Sequence, residues 1–342
     1  MTDDPAPLIT AVMIFRNGED FIAEAIGSIV AQSFTDWELV LVDDGSWDGA
    51  TAIARGFAER HPGRIRYIEH PGHENRGMSA SRNAGVAAGR GRYVSFLDAD
   101  DIWLPERLGV FVEVARAFPE AGMIYGPTLY WYSWAGIGET YLGQPDEPGN
   151  MQLPVRTLLE APAVLRQFIL SEGGSLPGIC SLLVRRDAYE AVGGFEPSFR
   201  GLYEDQVFLS KMAATQPIVV IAEVLDYYRQ HAASCCSVAV TTGEYDPGDY
   251  HPARAHYLRW LRGYMAGIGL DDPVLKRAVA RQLLPYDVPG YVRASKLTRR
   301  LQAGAMRRVR ARVPGIVLRH WWRWQERRAR RRGAVGSSPQ GS

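Results

Sequence analysis

Apolar runs that break off in carboxylates set the pattern of this chain. Residues 8–14 and 37–42 are almost continuously hydrophobic, and the second run ends in Asp43-Asp44-Gly45-Ser46. The stretch from Tyr93 repeats the device, closing on Asp98, Asp100 and Asp101 before Trp103 and Pro105. Short apolar runs between turn signals predict strands covered on both faces, as in parallel pairing. Between them, residues 20–32 place Phe21, Ile22, Ala25, Ile26, Ile29 and Val30 on one helical face. Ser46 is expected to cap a helix carrying Ile53 and Phe57, a third strand spans 64–69, and small residues predict a helix over 79–88. Strands alternating with helices of this length predict an α/β fold, a doubly wound, mostly parallel, Rossmann-like sheet. Ligands of such sheets sit outside the carboxyl ends of the strands, where both acidic clusters fall.

Farther along, the pattern predicts a helix over 105–118, a strand at 123–125, an aromatic stretch at 129–134 and a Gly/Pro-rich surface loop over 136–154. A helix is expected over 154–170, a strand over 180–184, a turn at Gly193-Gly194-Phe195, a helix opened by Glu204-Asp205, and two short strands within 219–228. Residues 236–255 read as a linker. Beyond it only helices are expected: 256–268, 273–284 and one or two within 291–332, before a Gly/Ser-rich disordered tail at 333–342. The division that follows is a domain of 1–235, a linker of 236–255, a basic helical extension of 256–332 and the tail.

Composition changes this picture in one respect. With 46% hydrophobic and 23% charged residues the chain is an ordinary globular protein, but its net charge of +1 hides an asymmetry. Between Arg293 and Arg332 the basic residues are opposed only by Glu326, with Trp321, Trp322 and Trp324 close by. Such a segment suits an anionic membrane surface, or equally a dock on an acidic body; nucleic acid is not expected as a partner. Cys180, Cys235 and Cys236 form neither an even disulfide framework nor a zinc spacing. No secretory signal and no apolar run of about 18 residues is seen. A cytoplasmic location, peripheral on the inner face of the membrane, is expected.

The chemistry lies in the carboxylates. Asp44, ionised, can accept hydrogen bonds from a nucleobase imide or a ribose hydroxyl, although an Asp-Gly turn explains the same residues. Asp98 and Asp100 at a strand end suit Mg²⁺ or Mn²⁺, ions that complete their shell with water and substrate phosphates. Glu204-Asp205 supplies either favourable charge at a helix start or a general base. His231 is a surface histidine, a third metal ligand or a phosphate contact. A nicotinamide dehydrogenase is disfavoured, because the loop from Phe15 to Glu19 lacks the glycines a pyrophosphate needs. A metal-dependent nucleotidyltransferase and an inactive carbohydrate-binding scaffold remain as alternatives.

Taken in order, Asn17, Val42 to Ser46, Ser81-Arg82-Asn83-Ala84-Gly85, Phe96 to Asp101, Gly193-Gly194-Phe195, Glu204-Asp205 and Tyr228-Arg229-Gln230-His231 resemble family 2 glycosyltransferases of the GT-A fold. The resemblance covers residues 8–231. It implies a nucleotide-sugar half over about 1–125 and an acceptor half over about 126–235. It also implies an inverting transfer from a nucleotide diphosphate sugar to a saccharide or lipid-linked acceptor, in cell-envelope polysaccharide or glycolipid synthesis. Asp44 would contact the nucleobase, with Phe15 and Asn17 in the same pocket; Arg82, Asp98 and Glu204 would bind substrate. Asp100, with His231, would hold the divalent metal, and Asp205 would be the catalytic base.

Overall fold

A computed structural model of the protein describes residues 6–136, 140–171, 176–243, 251–288 and 290. The strands are β1 (Ile9–Phe15), β2 (Trp37–Asp43), β3 (Ile65–Glu69), β4 (Tyr93–Asp98), β5 (Ile102–Trp103), β6 (Met123–Tyr125), β7 (Leu129–Trp131), β8 (Glu147–Pro148), β9 (Leu158–Leu159), β10 (Leu182–Arg185), β11 (Ile218–Val220) and β12 (Asp226–Arg229). The helices are α1 (Ile22–Val30), α2 (Ala50–Arg60), α3 (Met78–Ala88), α4 (Arg107–Ala117), α5 (Ala163–Leu170), α6 (Arg186–Ala191), α7 (Glu204–Thr215), α8 (Cys235–Thr241), α9 (Pro252–Gly267) and α10 (Pro273–Asp287).

Every residue of β1 and β2 is buried, as unbroken apolar runs require of strands covered on both faces. Two of their buried polar side chains satisfy each other, Thr10 donating to Glu38 at 2.9 Å. The main sheet runs β3-β2-β1-β4-β10-β6-β11-β9. Its first four strands are parallel, while β10 is antiparallel to both β4 and β6. The expected doubly wound, mostly parallel sheet is therefore present, with β10 reversed inside it and β9 reversed at its edge. A second sheet, β5-β12-β7-β8, stands beside the end of β4; its β5 and the aromatic strand β7 carry no period that the sequence pattern could register.

Three local expectations change. The helix expected over 154–170 is confined to α5, which starts after Pro162, because a proline interior to a helix lacks the N–H and clashes with the preceding turn. The chain upstream pairs as β9 with β11. Ser46 caps nothing: α2 opens at Ala50 with Asp48 accepting its N–H at 2.9 Å, and the Ser46 hydroxyl instead accepts the Asn17 N–H at 2.8 Å. The expected linker holds α8, capped by Ser234, whose side chain accepts from the Ser237 N–H.

The compact unit that contains both sheets continues to Leu283, so it includes α9, the start of the C-terminal helical extension. A second unit comprises residues 284–342. The basic helices expected within 291–332 and the tail at 333–342 lie outside the described residues. Among the described residues no helix is long and apolar enough to cross a membrane.

Candidate active site

Register brings the carboxyl ends of three strands level: Phe15 lies opposite Asp43, and Ile14 opposite Asp98. The loops leaving these ends carry most of the expected site.

On the β2 side, Asp43 is fully buried and accepts from the Ser46 N–H at 2.8 Å, the Thr51 hydroxyl at 2.5 Å and the Tyr67 hydroxyl at 3.1 Å. Burial pushes its carboxyl up, but these donors outweigh it and hold the group below its ordinary value. Asp44 reaches across to the loop before α3, accepting from the Arg76 N–H at 2.7 Å and the Gly77 N–H at 3.0 Å. Gly45 permits that approach. Its φ is +81°, and a Cβ there would sit 2.9 Å from the His73 carbonyl oxygen. Asn17, itself left-handed at φ 66°, fixes the facing loop by accepting the Trp47 N–H at 2.9 Å. Phe15 is buried within the core cluster and its carbonyl accepts the Asp44 N–H, so little of it is left for a ligand.

At the end of β4 the charges are organised by one buried guanidinium. Arg82, on α3, donates to Asp98 at 2.8 Å and to Glu204 across 122 residues of sequence. Arg82 and Glu204 are buried, whereas the Asp98 side chain is about one-third exposed. The second Glu204 oxygen, Oε2, is buried without a partner. Burial raises the Glu204 carboxyl to about 7; Arg82 opposes this, while neighbouring Asp205 and Asp98 reinforce it. One cation thus serves three carboxylates, and the surplus negative charge favours a proton or a further cation.

Asp205 follows on the first turn of α7 and accepts the Gln206 N–H at 2.7 Å. Burial lifts its carboxyl above the ordinary value. Asp100 Oδ2 meets His231 Nε2 at 3.0 Å, joining the β4 loop to the residues after β12. Asp101 turns inward, 1% exposed, and accepts the Arg229 N–H at 2.9 Å; burial, then Asp100, push its carboxyl well up. Of the three aspartates, Asp101 supports the turn.

A profile described as "Glycosyl transferase family 2" matches residues 10–191, more than half of the chain. The chain belongs to glycosyl transferase family 2. It is 30% identical over 231 residues to the uncharacterized glycosyltransferase alr2836 of Nostoc sp., covering 66% of each chain. It is 39% identical over 114 residues to the succinoglycan biosynthesis protein ExoO of Rhizobium meliloti, covering 33% of this chain and 31% of that one. The chain spans between 26% and 66% of the lengths of the curated relatives it matches first. The solved structure of S. aureus TarS 1-349 in complex with UDP-GlcNAc superposes at a TM-score of 0.60 with 16% identity, over 83% of this chain and 74% of that one. The fold is therefore GT-A.

Two features of this family 2 chain escape a reading of the sequence. Asp43, Glu69 and His73 offer ligand atoms within 4.8 Å of one another, a group that could hold a divalent ion. Asp43 and Glu69 are already bridged by the Tyr67 hydroxyl, and only the Asp-Asp dipeptide hints at the cluster. Arg229 sits among Phe21, Trp131 and Trp134, 4.9, 4.5 and 5.2 Å from their ring centres, and donates to the Asp100 carbonyl at 2.8 Å. Its place two residues before His231 was the available signal, and the cage gives Trp131 and Trp134 a partner on one face.

Proposed function

We propose that the chain is an inverting glycosyltransferase that moves a sugar from a nucleoside diphosphate sugar to an acceptor hydroxyl, in the assembly of a cell-envelope polysaccharide or glycolipid. The observation that carries this reading is the Arg82 bridge between Asp98 and Glu204, set beside Asp205 and Asp100 at the carboxyl ends of a family 2 sheet. Asp205 is the base. Its raised carboxyl is better matched to taking a proton near neutral pH as the acceptor oxygen attacks. In-line displacement with inversion needs no covalent nucleophile, so one base suffices.

Asp100 and His231 would hold a divalent cation, which when bound offsets the charge gathering on the departing nucleoside diphosphate. The donor set fits: one carboxylate and one imidazole, with Asp98 engaged by Arg82, leave positions for phosphate oxygens and water, which Mg²⁺ and Mn²⁺ retain. This corner is preferred to the Asp43, Glu69 and His73 group, whose Asp43 is fully buried and already accepts from the Ser46 N–H and the Thr51 hydroxyl, and whose carboxylates share the one Tyr67 hydroxyl proton. Asp44 and Asn17 frame the nucleobase side through the loops they hold. The UDP-GlcNAc complex of TarS supports a UDP-sugar as the first donor to test, and the name of ExoO supports a polysaccharide acceptor. The proposal extends to an anionic membrane surface for residues 293–332, supported by their basic and tryptophan-rich sequence.

The test is hydrolysis of UDP-, GDP- and dTDP-sugars with Mn²⁺ by wild type, Asp100→Ala and Asp205→Asn. Each substitution is expected to lower turnover by about 100-fold or more. Turnover untouched by both overturns the proposal.

A further inference from the structure

The base of the proposed reaction stands on an unusual turn. Tyr203, the residue immediately before Glu204 and Asp205, is left-handed, with φ 72° and ψ 6°. A bulky L-residue reaches that region only when its surroundings hold it there.

α9 supplies part of those surroundings. Tyr257 lies nearly parallel to Tyr203, ring centres 5.4 Å apart at 17°. Tyr257 is buried, and its hydroxyl shares a 2.7 Å hydrogen bond with the buried Ser210 on α7. One α9 residue therefore grips both the turn and the helix it starts. At the far end of the loop Phe199 packs on His256 at 4.6 Å and edge-on to Trp260 at 5.9 Å, while its carbonyl accepts from Ser79 at 2.9 Å. The loop from Phe199 to Tyr203 is thus clamped at both ends by consecutive residues of α9.

From this geometry we infer that α9 is part of the catalytic apparatus: Tyr257 is a positioning residue that holds the Tyr203 turn left-handed and so aims Asp205. The inference rests on the reading of Asp205 as base. It gives the first helix beyond the expected linker a task in the reaction. Without the stack Tyr203 relaxes to negative φ, the first turn of α7 unwinds, and Asp205 loses its direction, while the donor contacts at Asp98, Asp100 and Asp44 stay in place. The defect should fall on kcat and spare KM for the donor.

The experiment compares full-length wild type, Tyr257→Leu, Tyr257→Phe, Asp205→Asn and the double variant Tyr257→Leu with Tyr203→Asn. Asparagine tolerates the left-handed region, so it should hold the turn without the stack. Hydrogen exchange is followed at residues 203–207, and hydrolysis of UDP-GlcNAc is followed with Mn²⁺. Tyr257→Leu is expected to speed exchange at these residues at least tenfold and to lower kcat at least tenfold, with KM within twofold. Tyr203→Asn is expected to recover most of both losses, and Tyr257→Phe, which keeps the ring, to stay within threefold of wild type.

Unchanged exchange at 203–207 in Tyr257→Leu overturns the inference. So does a defect spread along α9 that Tyr203→Asn fails to relieve, which would mark a merely structural role. A loss in Tyr257→Phe as large as in Tyr257→Leu moves the role from the ring to the hydroxyl and also overturns it. Should Tyr257→Leu not fold, His256→Ala, at an exposed position, is expected to shift the same residues at least threefold, and no shift overturns the inference. If Asp205→Asn abolishes turnover while Tyr257→Leu retains it, the inference fails and the base stands. If Asp205→Asn keeps turnover, the base fails, and the exchange measurement alone decides what Tyr257 holds; it also decides if wild type does not hydrolyse UDP-GlcNAc.

Discussion

Replacing Glu204 with glutamine should stabilise this protein at alkaline pH, although it removes one partner of a buried ion pair. The Glu204 carboxyl rises from 4.5 to about 7 on folding, chiefly through burial. A carboxyl raised in this way is more protonated folded than unfolded between those two values. Stability therefore falls as pH climbs through that window and levels off above it. At about 1.4 kcal/mol per tenfold, the full cost of holding the ionised form above pH 7 is about 3 kcal/mol. Glutamine keeps the shape and an oxygen for Arg82 but bears no charge to desolvate. Comparing variant and wild type at equal pH cancels the other groups. The same linkage gives a cost of about 1 kcal/mol at pH 5.5 and about 3 kcal/mol at pH 8.5. Urea unfolding should thus show the stability of Glu204→Gln relative to wild type improving by about 2 kcal/mol between those two pH values. A difference that stays flat, or moves in wild type's favour as pH rises, would falsify the reasoning. It would mean that Arg82 outweighs burial and keeps Glu204 ionised in the fold.

Asp101→Asn should cost little at neutral pH, because burial already favours the neutral acid and the amide oxygen can still accept the Arg229 N–H. Asp101→Ala strands that N–H and should cost about 1–3 kcal/mol, read by thermal denaturation. Gly85→Ala drives a methyl into Val12 and to within 3.1 Å of Val42 Cγ2, at the seam between α3 and the sheet; a loss of about 1–3 kcal/mol in unfolding stability is expected. Flotation with vesicles containing anionic lipid should be lost when the chain is ended at Leu297; equal flotation of the two forms removes the membrane from the proposal.

The sequence by itself determined the elements whose cause is local. Runs such as 8–14, 37–42 and 93–97 predict strands covered on both faces, and the carboxylates that end two of them are expected at the same edge of a parallel sheet. Order and spacing of the motifs were enough to indicate the family. Local pattern failed where a single residue overrode it, as Pro162 does in shortening α5, and where pairing alone makes a strand, as in the two residues of β5 and of β9.

Tertiary structure decided what each charge does. Nothing near Arg82 in sequence says that it bridges Asp98 to Glu204, nor that Asp101 turns inward while Asp100 meets His231. Those pairings span more than a hundred residues in all but one case, and chain neighbours carry no record of them. The raised carboxyls of Glu204 and Asp205 follow from burial, and burial belongs to the assembled layers: the sheet beneath, α3 beside it, and α9 stacked on the turn that opens α7.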